Sequence, residues 1–322
     1  MMVRKKPIKE DLFMEQYPFR LTVMGLGGVG GLLAGPLLRR YGGAVSLVAR
    51  GARGKALREN GLTLRSDYFG AFTVLPQRVA ETPEELDVQD FVLVCVKNDV
   101  LESVAAQLRP IVGPQTLVVP VMNGVTAGEV LQKALPEAKV APSVIYTVSG
   151  ANADYSITQS GKFTHLFVDD LGGDGLAIRL AEIMKDAGID WRLTSDIRTA
   201  LWSKYVFNCA YNTMTAAEST DAGHLKRPPL RDDFAAIMAE AREVGCKCGA
   251  ELPEDMVARE LRRLDKTTDD SESSLSRDFA KKRTGELEVF SGDLLRLAAQ
   301  CGVSAPTAQR YYEKLLEKAK TF

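Results

Sequence analysis

Two regimes of apolar spacing follow one another along the chain. Up to about residue 194, short apolar runs alternate with stretches of helical period. Residues 21–24 read as a buried strand, 32–41 as a helix and 44–49 as a second strand. Residues 54–60 suit a short helix closed by Gly61. Residues 62–75 alternate as a hairpin with its turn near 67–70. The continuous apolar run 91–96 suits a strand buried on both faces. A helix over 100–108 ends before Pro110; a strand over 117–122, a helix over 125–135 and a strand over 140–148 follow. Residues 162–168 are expected at a sheet edge, and 176–187 form a helix stopped by Gly188. Gly35-Pro36 falls inside the first helix and is expected to kink or loosen it. From residue 195 onward only helical spacing persists, with separators at 227–229, 249–253 and 302–306 and a polar connector at 266–276. The pattern therefore predicts an α/β fold. An N-terminal α/β domain covers 20–194, an all-helical C-terminal domain covers 195–322, and 1–19 form a tail or arm.

The chemistry of the first domain starts between its first strand and first helix. Gly25, Gly27 and Gly30 fit G-x-G-x-x-G, with Gly28 in the same turn. Such glycines serve a tight turn, backbone approach to a pyrophosphate, and close helix–strand packing. The helix start then offers unpaired N–H groups to phosphate. The plainer reading is a glycine-rich turn; the flanking strands favour the cofactor. An NAD site carries an acid about 20 residues after the glycines. Here Arg50 holds that place, followed by Arg53, Lys55 and Arg58, and no acid occurs from 42 to 58. A guanidinium suits a 2′-phosphate, so NADP(H) is expected; a solvated basic loop is the alternative. Lys97 and Asn123-Gly124 follow apolar strands at the carboxyl ends where ligands gather. A solvated lysine and plain turn chemistry remain open for them.

In the second domain, Lys204, Asn208 and Asn212 recur every four residues and share one helix face. Trp202, Tyr205, Val206, Phe207, Cys209, Ala210 and Tyr211 surround them, so the helix is apolar nearly all round and buried. Polar groups on a buried helix must line something that satisfies them. A ligand fits one Lys with two Asn better than bulk water, where a stripe mixes charges.

Composition narrows the field. The 322 residues suit two domains, and a net charge of −1 leaves no footprint for nucleic acid. No apolar run approaches the roughly 18 residues of a membrane span. Residues 1–19 carry Glu10, Asp11 and Glu15 without an apolar centre, so a secretory signal is not expected. Five scattered cysteines form no metal or disulfide framework; Cys95 and Cys209 read as buried thiols, and a cytoplasmic setting follows. His165 and His224, the only histidines, read as structural, so proton chemistry falls to another group. The oligomeric state is not given by the sequence; a homodimer is one option.

Taken together, the glycine turn, Arg50, Lys97, Asn123-Gly124 and Leu201-Trp202-x-Lys204-x3-Asn208-x3-Asn212 resemble the ketopantoate reductase (2-dehydropantoate 2-reductase) family. Thr215-Ala216, the segment 273–278 and the run Thr284-Gly285-Glu286-Leu287-Glu288 are similar to family motifs as well. The resemblance covers about residues 20–317. It implies a Rossmann domain followed by a helical one, NADPH-dependent reduction of a small 2-keto acid, and no metal. It implies Lys204 as general acid and Glu286 as the acid near substrate and lysine. Asn208, Asn212 and Ser274 match substrate-holding positions, and Lys97 and Asn123 match positions near nicotinamide and substrate. Hydride addition to a keto carbon leaves an alkoxide, for which a lysine ammonium supplies both proton and charge. Burial lowers such a lysine's pKa and Glu286 opposes the shift. Gly285, Arg277, Phe290-Ser291-Gly292 in place of Ile-Asn-Gly, and the missing Pro-Leu after Asn212 depart from the family pattern on the substrate side. The leading expectation is reduction of 2-dehydropantoate to (R)-pantoate. A relative making another D-2-hydroxy acid, and a non-enzymatic NADP(H) sensor, are the alternatives; the intact Lys–Asn–Asn stripe speaks against the sensor.

Overall fold

The computed structural model describes residues 17–322. These divide into two units, 17–122 with 126–197 and 123–125 with 198–322. Of the expected tail, residues 1–16 lie outside the described residues. Phe19 is buried, packed edge-on against Tyr41 and Phe91.

In the first unit the chain runs β1 (Leu21–Met24), α1 (Gly28–Tyr41), β2 (Val45–Val48), α2 (Gly51–Asn60), β3 (Leu62–Ser66), β4 (Gly70–Val74) and β5 (Arg78–Ala80). It continues through β6 (Phe91–Val94), α3 (Leu101–Leu108), β7 (Leu117–Pro120), α4 (Ala127–Ala134) and β8 (Lys139–Val140). β9 (Ser143–Ala151), β10 (Ile157–Asp169), α5 (Gly175–Asp186) and β11 (Asp190–Thr194) complete it. A six-stranded parallel sheet has the order β5-β2-β1-β6-β7-β8, the Rossmann arrangement. The apolar strands β1, β6 and β7 are fully buried, as their unbroken hydrophobic runs require.

A second sheet, not expected from the spacing, has the order β11-β10-β3-β4, with β9 antiparallel to β10. Residues 162–168 are therefore not at an edge: they belong to the long β10, flanked by β9 and β11. The expected strand 140–148 is two strands. Pro142 has no N–H for a ladder, and there the chain leaves β7's neighbour and enters the second sheet. Helix α1 packs on this second sheet, with Leu64 and Phe72 close to Gly35 and Ile157 close to Gly31. That contact buries the face opposite β1 and explains why residues 30–38 are buried throughout. The helix also runs on through Gly35-Pro36 without a break, against the expectation of a loosened turn.

The second unit is helical: α6 (Ile197–Glu218), α7 (Ala222–Leu225), α8 (Leu230–Lys247), α9 (Met256–Lys266) and α10 (Ser274–Ala280) come first. A π turn (Glu288–Gly292), α11 (Asp293–Cys301) and α12 (Pro306–Ala319) follow. Trp202, Tyr205, Val206, Cys209 and Met214 of α6 form its core with Phe234, Met238, Phe290, Leu294 and Leu315. Gly245 lets α8 close on the Trp202 ring, since a Cβ there would fall 2.8 Å from it. Each large apolar side chain so buried contributes about 1.5–3 kcal/mol before entropy is charged against it. Burial pushes the Cys95 and Cys209 thiols up to about 12, which keeps them inert. Among the described residues no helix is long and apolar enough to cross a membrane.

Candidate functional site

The glycine turn of the first unit joins β1 to α1. Gly25 sits at φ +91°, where a Cβ would lie 2.8 Å from the carbonyl oxygen of Cys95. A Cβ on Gly30 would fall 1.8 Å from the carbonyl oxygen of Gly25, so helix and strand meet with no room for a side chain. Gly28 faces the backbone of Ser149 and Gly150 just as closely. Around Gly27, in contrast, nothing lies within 4 Å of a Cβ position. Gly27 caps α1 without any side-chain cap, leaving first-turn N–H groups for an anion. Open ground beside an uncapped helix start fits a dinucleotide pyrophosphate.

Arg50 is exposed at the N-cap of α2, whose first turn holds no acid. Basic residues at a helix start oppose its dipole, and an anion bound there reverses that penalty. Arg53, in the same turn, lies across the glycine loop. It donates to the carbonyl oxygens of Leu26 (2.5 Å) and Tyr155 (2.6 Å), and its guanidinium covers the Tyr155 ring. Its Nε is buried with no acceptor, and burial lowers its pKa. Lys97 is exposed just beyond β6, before the turn Asn98–Val100.

The second unit holds Lys204, Asn123 and Glu286. Lys204 Nζ donates to Asn123 Oδ1 at 3.1 Å, and Asn123 Nδ2 donates to Glu286 Oε2 at 2.9 Å. One amide thus separates an ammonium from a carboxylate, and its orientation is fixed because only its oxygen can accept and only its nitrogen donate. Desolvation brings Lys204 down to about 8; the Glu286 carboxylate resists this and the Arg263 guanidinium adds to it. Arg263, from α9, lies 4.5 Å over the Phe207 ring, on the α6 face that carries Lys204 and Asn208.

Asn208 is one turn beyond Lys204 and partly buried. Asn212, a further turn on, is engaged at both ends of its amide. Its Nδ2 donates to the carbonyl oxygen of Asn208 at 2.9 Å. Its Oδ1 accepts from Ser274 Oγ at 3.1 Å and Leu275 N at 3.3 Å. Thr215 Oγ1 donates to Ser273 Oγ at 2.7 Å, and Ser273 caps α10 through Ser276 N. The start of α10 is therefore stitched to α6, with Ser274 beside the polar stripe. The structure joins Lys204, Asn123 and Glu286 in one hydrogen-bonded chain and Asn208, Asn212 and Ser274 in a second. The glycines, Arg50 and Lys97 belong to the first unit.

Three of the departures from the family pattern, at Gly285, Thr213 and Ser291, have defined local surroundings. Gly285 sits at φ +55°, and a Cβ there would lie 2.7 Å from Asp278 Oδ2, so this turn into Glu286 calls for glycine. Thr213, within the stretch that lacks Pro-Leu, and Ser291, within Phe-Ser-Gly, hydrogen-bond each other at 2.7 Å, both buried. The two hydroxyls satisfy one another in the core. Sequence reasoning missed Arg263 and the Tyr205 hydroxyl: the first reads as one charge among many on an amphipathic helix, the second as an apolar filler.

Comparison with known proteins gives consistent matches. Residues 21–169 match the family model for ketopantoate reductase PanE/ApbA, and 196–319 match that for its C-terminal part. A 2-dehydropantoate 2-reductase of Archaeoglobus fulgidus is 30% identical over 288 residues, 88% of this chain and 92% of that protein. One of Mesorhizobium japonicum is 30% identical over 257 residues, 73% of this chain and 78% of that protein. A crystal structure of a PanE/ApbA family ketopantoate reductase from Ralstonia eutropha superimposes with TM-score 0.85 at 27% identity, covering 94% of this chain and 99% of that one.

Proposed function

Because the chain belongs to the ketopantoate reductase family, oxidoreductases that use a nicotinamide dinucleotide, we propose that it reduces 2-dehydropantoate to (R)-pantoate with NADPH and Lys204 as general acid. The observation that carries this reading is the Lys204–Asn123–Glu286 chain, with the ammonium held near 8 by burial. Residues 20–194 take the cofactor, and 195–322 with Asn123 take substrate and supply the proton.

When bound, the cofactor supplies hydride to the keto carbon. Negative charge then grows on the carbonyl oxygen, and Lys204 Nζ donates a proton to it. That ammonium donates to Asn123 Oδ1, which fixes its direction. The Glu286 carboxylate, acting across the Asn123 amide, favours the protonated lysine against the cost of burial. Asn208 and Ser274 hydrogen-bond the substrate's oxygens, and Asn212 fixes the Ser274 hydroxyl for that task. Keto acid, NADPH and a proton thus become hydroxy acid and NADP+.

For the cofactor, the glycine turn and the start of α1 hold the pyrophosphate, Lys97 borders the nicotinamide, and Arg50 pairs with the 2′-phosphate. Arg50→Ala is expected to lower the kcat/KM preference for NADPH over NADH by roughly 10- to 100-fold, the worth of a charge-assisted hydrogen bond. An unchanged ratio would mean that Arg53 leaves the Leu26 carbonyl and takes the phosphate instead.

The reading is tested by following reduced-nicotinamide absorbance with ketopantoate, with 2-ketoisovalerate, and with NADH in place of NADPH. Rapid oxidation confined to ketopantoate with NADPH is expected. Equal kcat/KM on the simpler acid would move the protein to a general 2-keto acid reductase, and NADPH binding without turnover of either would reject the reading.

A further inference from the structure

We propose that Tyr205 is a positioning residue for Glu286: its buried hydroxyl holds the π turn Glu288–Gly292 so that Glu286 meets Asn123 and, through it, Lys204. Three contacts lead there. Tyr205 OH donates to the carbonyl oxygen of Val289 at 2.6 Å, and the side chain is 2% exposed. A π turn departs from the α-helical ladder, and such turns persist where side chains satisfy the displaced carbonyls. The Val289 side chain also packs on the loop that carries Asn123, since a Cβ on Gly124 would lie 3.0 Å from Val289 Cγ1. At the head of the turn, the carbonyl oxygen of Glu286 accepts from Phe290 N at 3.2 Å. Val289 therefore touches the loop of Asn123 on one side and belongs to the turn of Glu286 on the other.

The geometry has a further consequence. Tyr205 is the residue after Lys204, so one stretch of α6 backbone carries both the proton donor and the prop for its counter-charge. Thr213 Oγ1 with Ser291 Oγ forms a second prop about two helical turns along. Losing the Tyr205 hydroxyl removes a buried donor from the Val289 carbonyl, which favours a shift of the turn. That shift draws Glu286 away from Asn123. The groups that set the protonation of Lys204 are Glu286, which favours the ammonium, and Arg263 from α9, which disfavours it. Weakening the first leaves the second, so the lysine loses its proton at lower pH.

This inference rests on the assignment of Lys204 as proton donor. It is tested with Tyr205→Phe, which keeps the ring and removes one oxygen. We expect kcat to fall about tenfold, a modest misplacement, with the KM for NADPH unchanged and the alkaline limb of kcat/KM moved to lower pH. In a Glu286→Gln background the same substitution is expected to add no further loss, because its effect runs through Glu286. Ser291→Ala, which loosens only the second prop, is expected to move the limb the same way by less, and it serves if Tyr205→Phe does not fold. Wild-type kcat and an unmoved limb in both variants would overturn the proposal, as would a full additional loss in the double variant, which marks a general packing role. Absence of keto acid turnover in the wild-type enzyme would instead reject the reductase reading, and this inference with it.

Discussion

Lys204→Ala is expected to lower kcat by about 1000-fold, within the usual range for loss of a general acid, while leaving NADPH binding intact. The size of the effect follows from the lack of a substitute. Asn123 and Asn208 are neutral amides, Glu286 is a counter-charge, and the two histidines pair with Asp190 and Asp221. Cofactor binding is expected to survive because the glycine turn and Arg50, the residues proposed for it, belong to the other unit. The pH dependence supplies a second check with a definite sign. As a general acid Lys204 would act protonated, and burial brings its pKa down to about 8, so the loss of activity is expected there. Below that value kcat/KM is flat in this group; above it the rate falls about tenfold per pH unit. Glu286→Gln removes the charge that raises the lysine and moves the limb to lower pH. Arg263→Ala removes the charge that lowers it and moves the limb to higher pH. Steady-state rates of the three variants across pH 6–10 (the range about the Lys204 value) read all of this. A kcat for Lys204→Ala within tenfold of wild type would remove the lysine from the mechanism, and limbs that move together in Glu286→Gln and Arg263→Ala would remove the electrostatic account.

What the sequence discloses depends on the range of the interaction. The Lys204, Asn208 and Asn212 stripe is visible because a four-residue spacing maps onto one helix face, and the glycine turn because strand, turn and helix are contiguous. The second sheet is hidden for the opposite reason. β3 pairs with β10 across about ninety residues, and nothing local in 162–168 distinguishes an interior strand from an edge. Glu286 is hidden likewise: it lies 163 residues from Asn123, and by its own surroundings it reads as a solvent-facing helix glutamate. Family resemblance, not spacing, drew attention to it. Thr213 and Ser291 mark a subtler limit. Each is visible as a departure from the family pattern and suggests a changed substrate site. Only the structure shows that the two hydroxyls meet at 2.7 Å and satisfy each other in the core.

Gly30→Ala and Gly27→Ala lie three residues apart in one motif and are expected to fail differently. At Gly30 the new Cβ would fall 1.8 Å from the carbonyl oxygen of Gly25 and 3.0 Å from Cys95 Cβ. Neither a backbone carbonyl nor a buried strand residue can swing aside, so α1 must lift from β1. Such overpacking costs about 3 kcal/mol or more. For a unit of this size that is a fall in Tm of roughly 6–12 °C, accompanied by loss of NADPH binding as the turn opens. At Gly27 the backbone has φ −71°, accessible to alanine, and nothing lies within 4 Å of the new Cβ. The apo protein should therefore melt within about 1 °C of wild type, an ordinary result for an unstrained surface change. The methyl group instead enters the space assigned to the pyrophosphate, where close backbone approach is the purpose of the glycine. NADPH affinity is expected to fall at least tenfold, the effect of about 1.4 kcal/mol. Thermal melts of both apo variants with NADPH titrations separate the two effects. A Gly27→Ala protein that binds NADPH normally would show that the cofactor does not cross the turn at that point, and a Gly30→Ala protein with wild-type Tm would show that α1 and β1 are not locked by this contact.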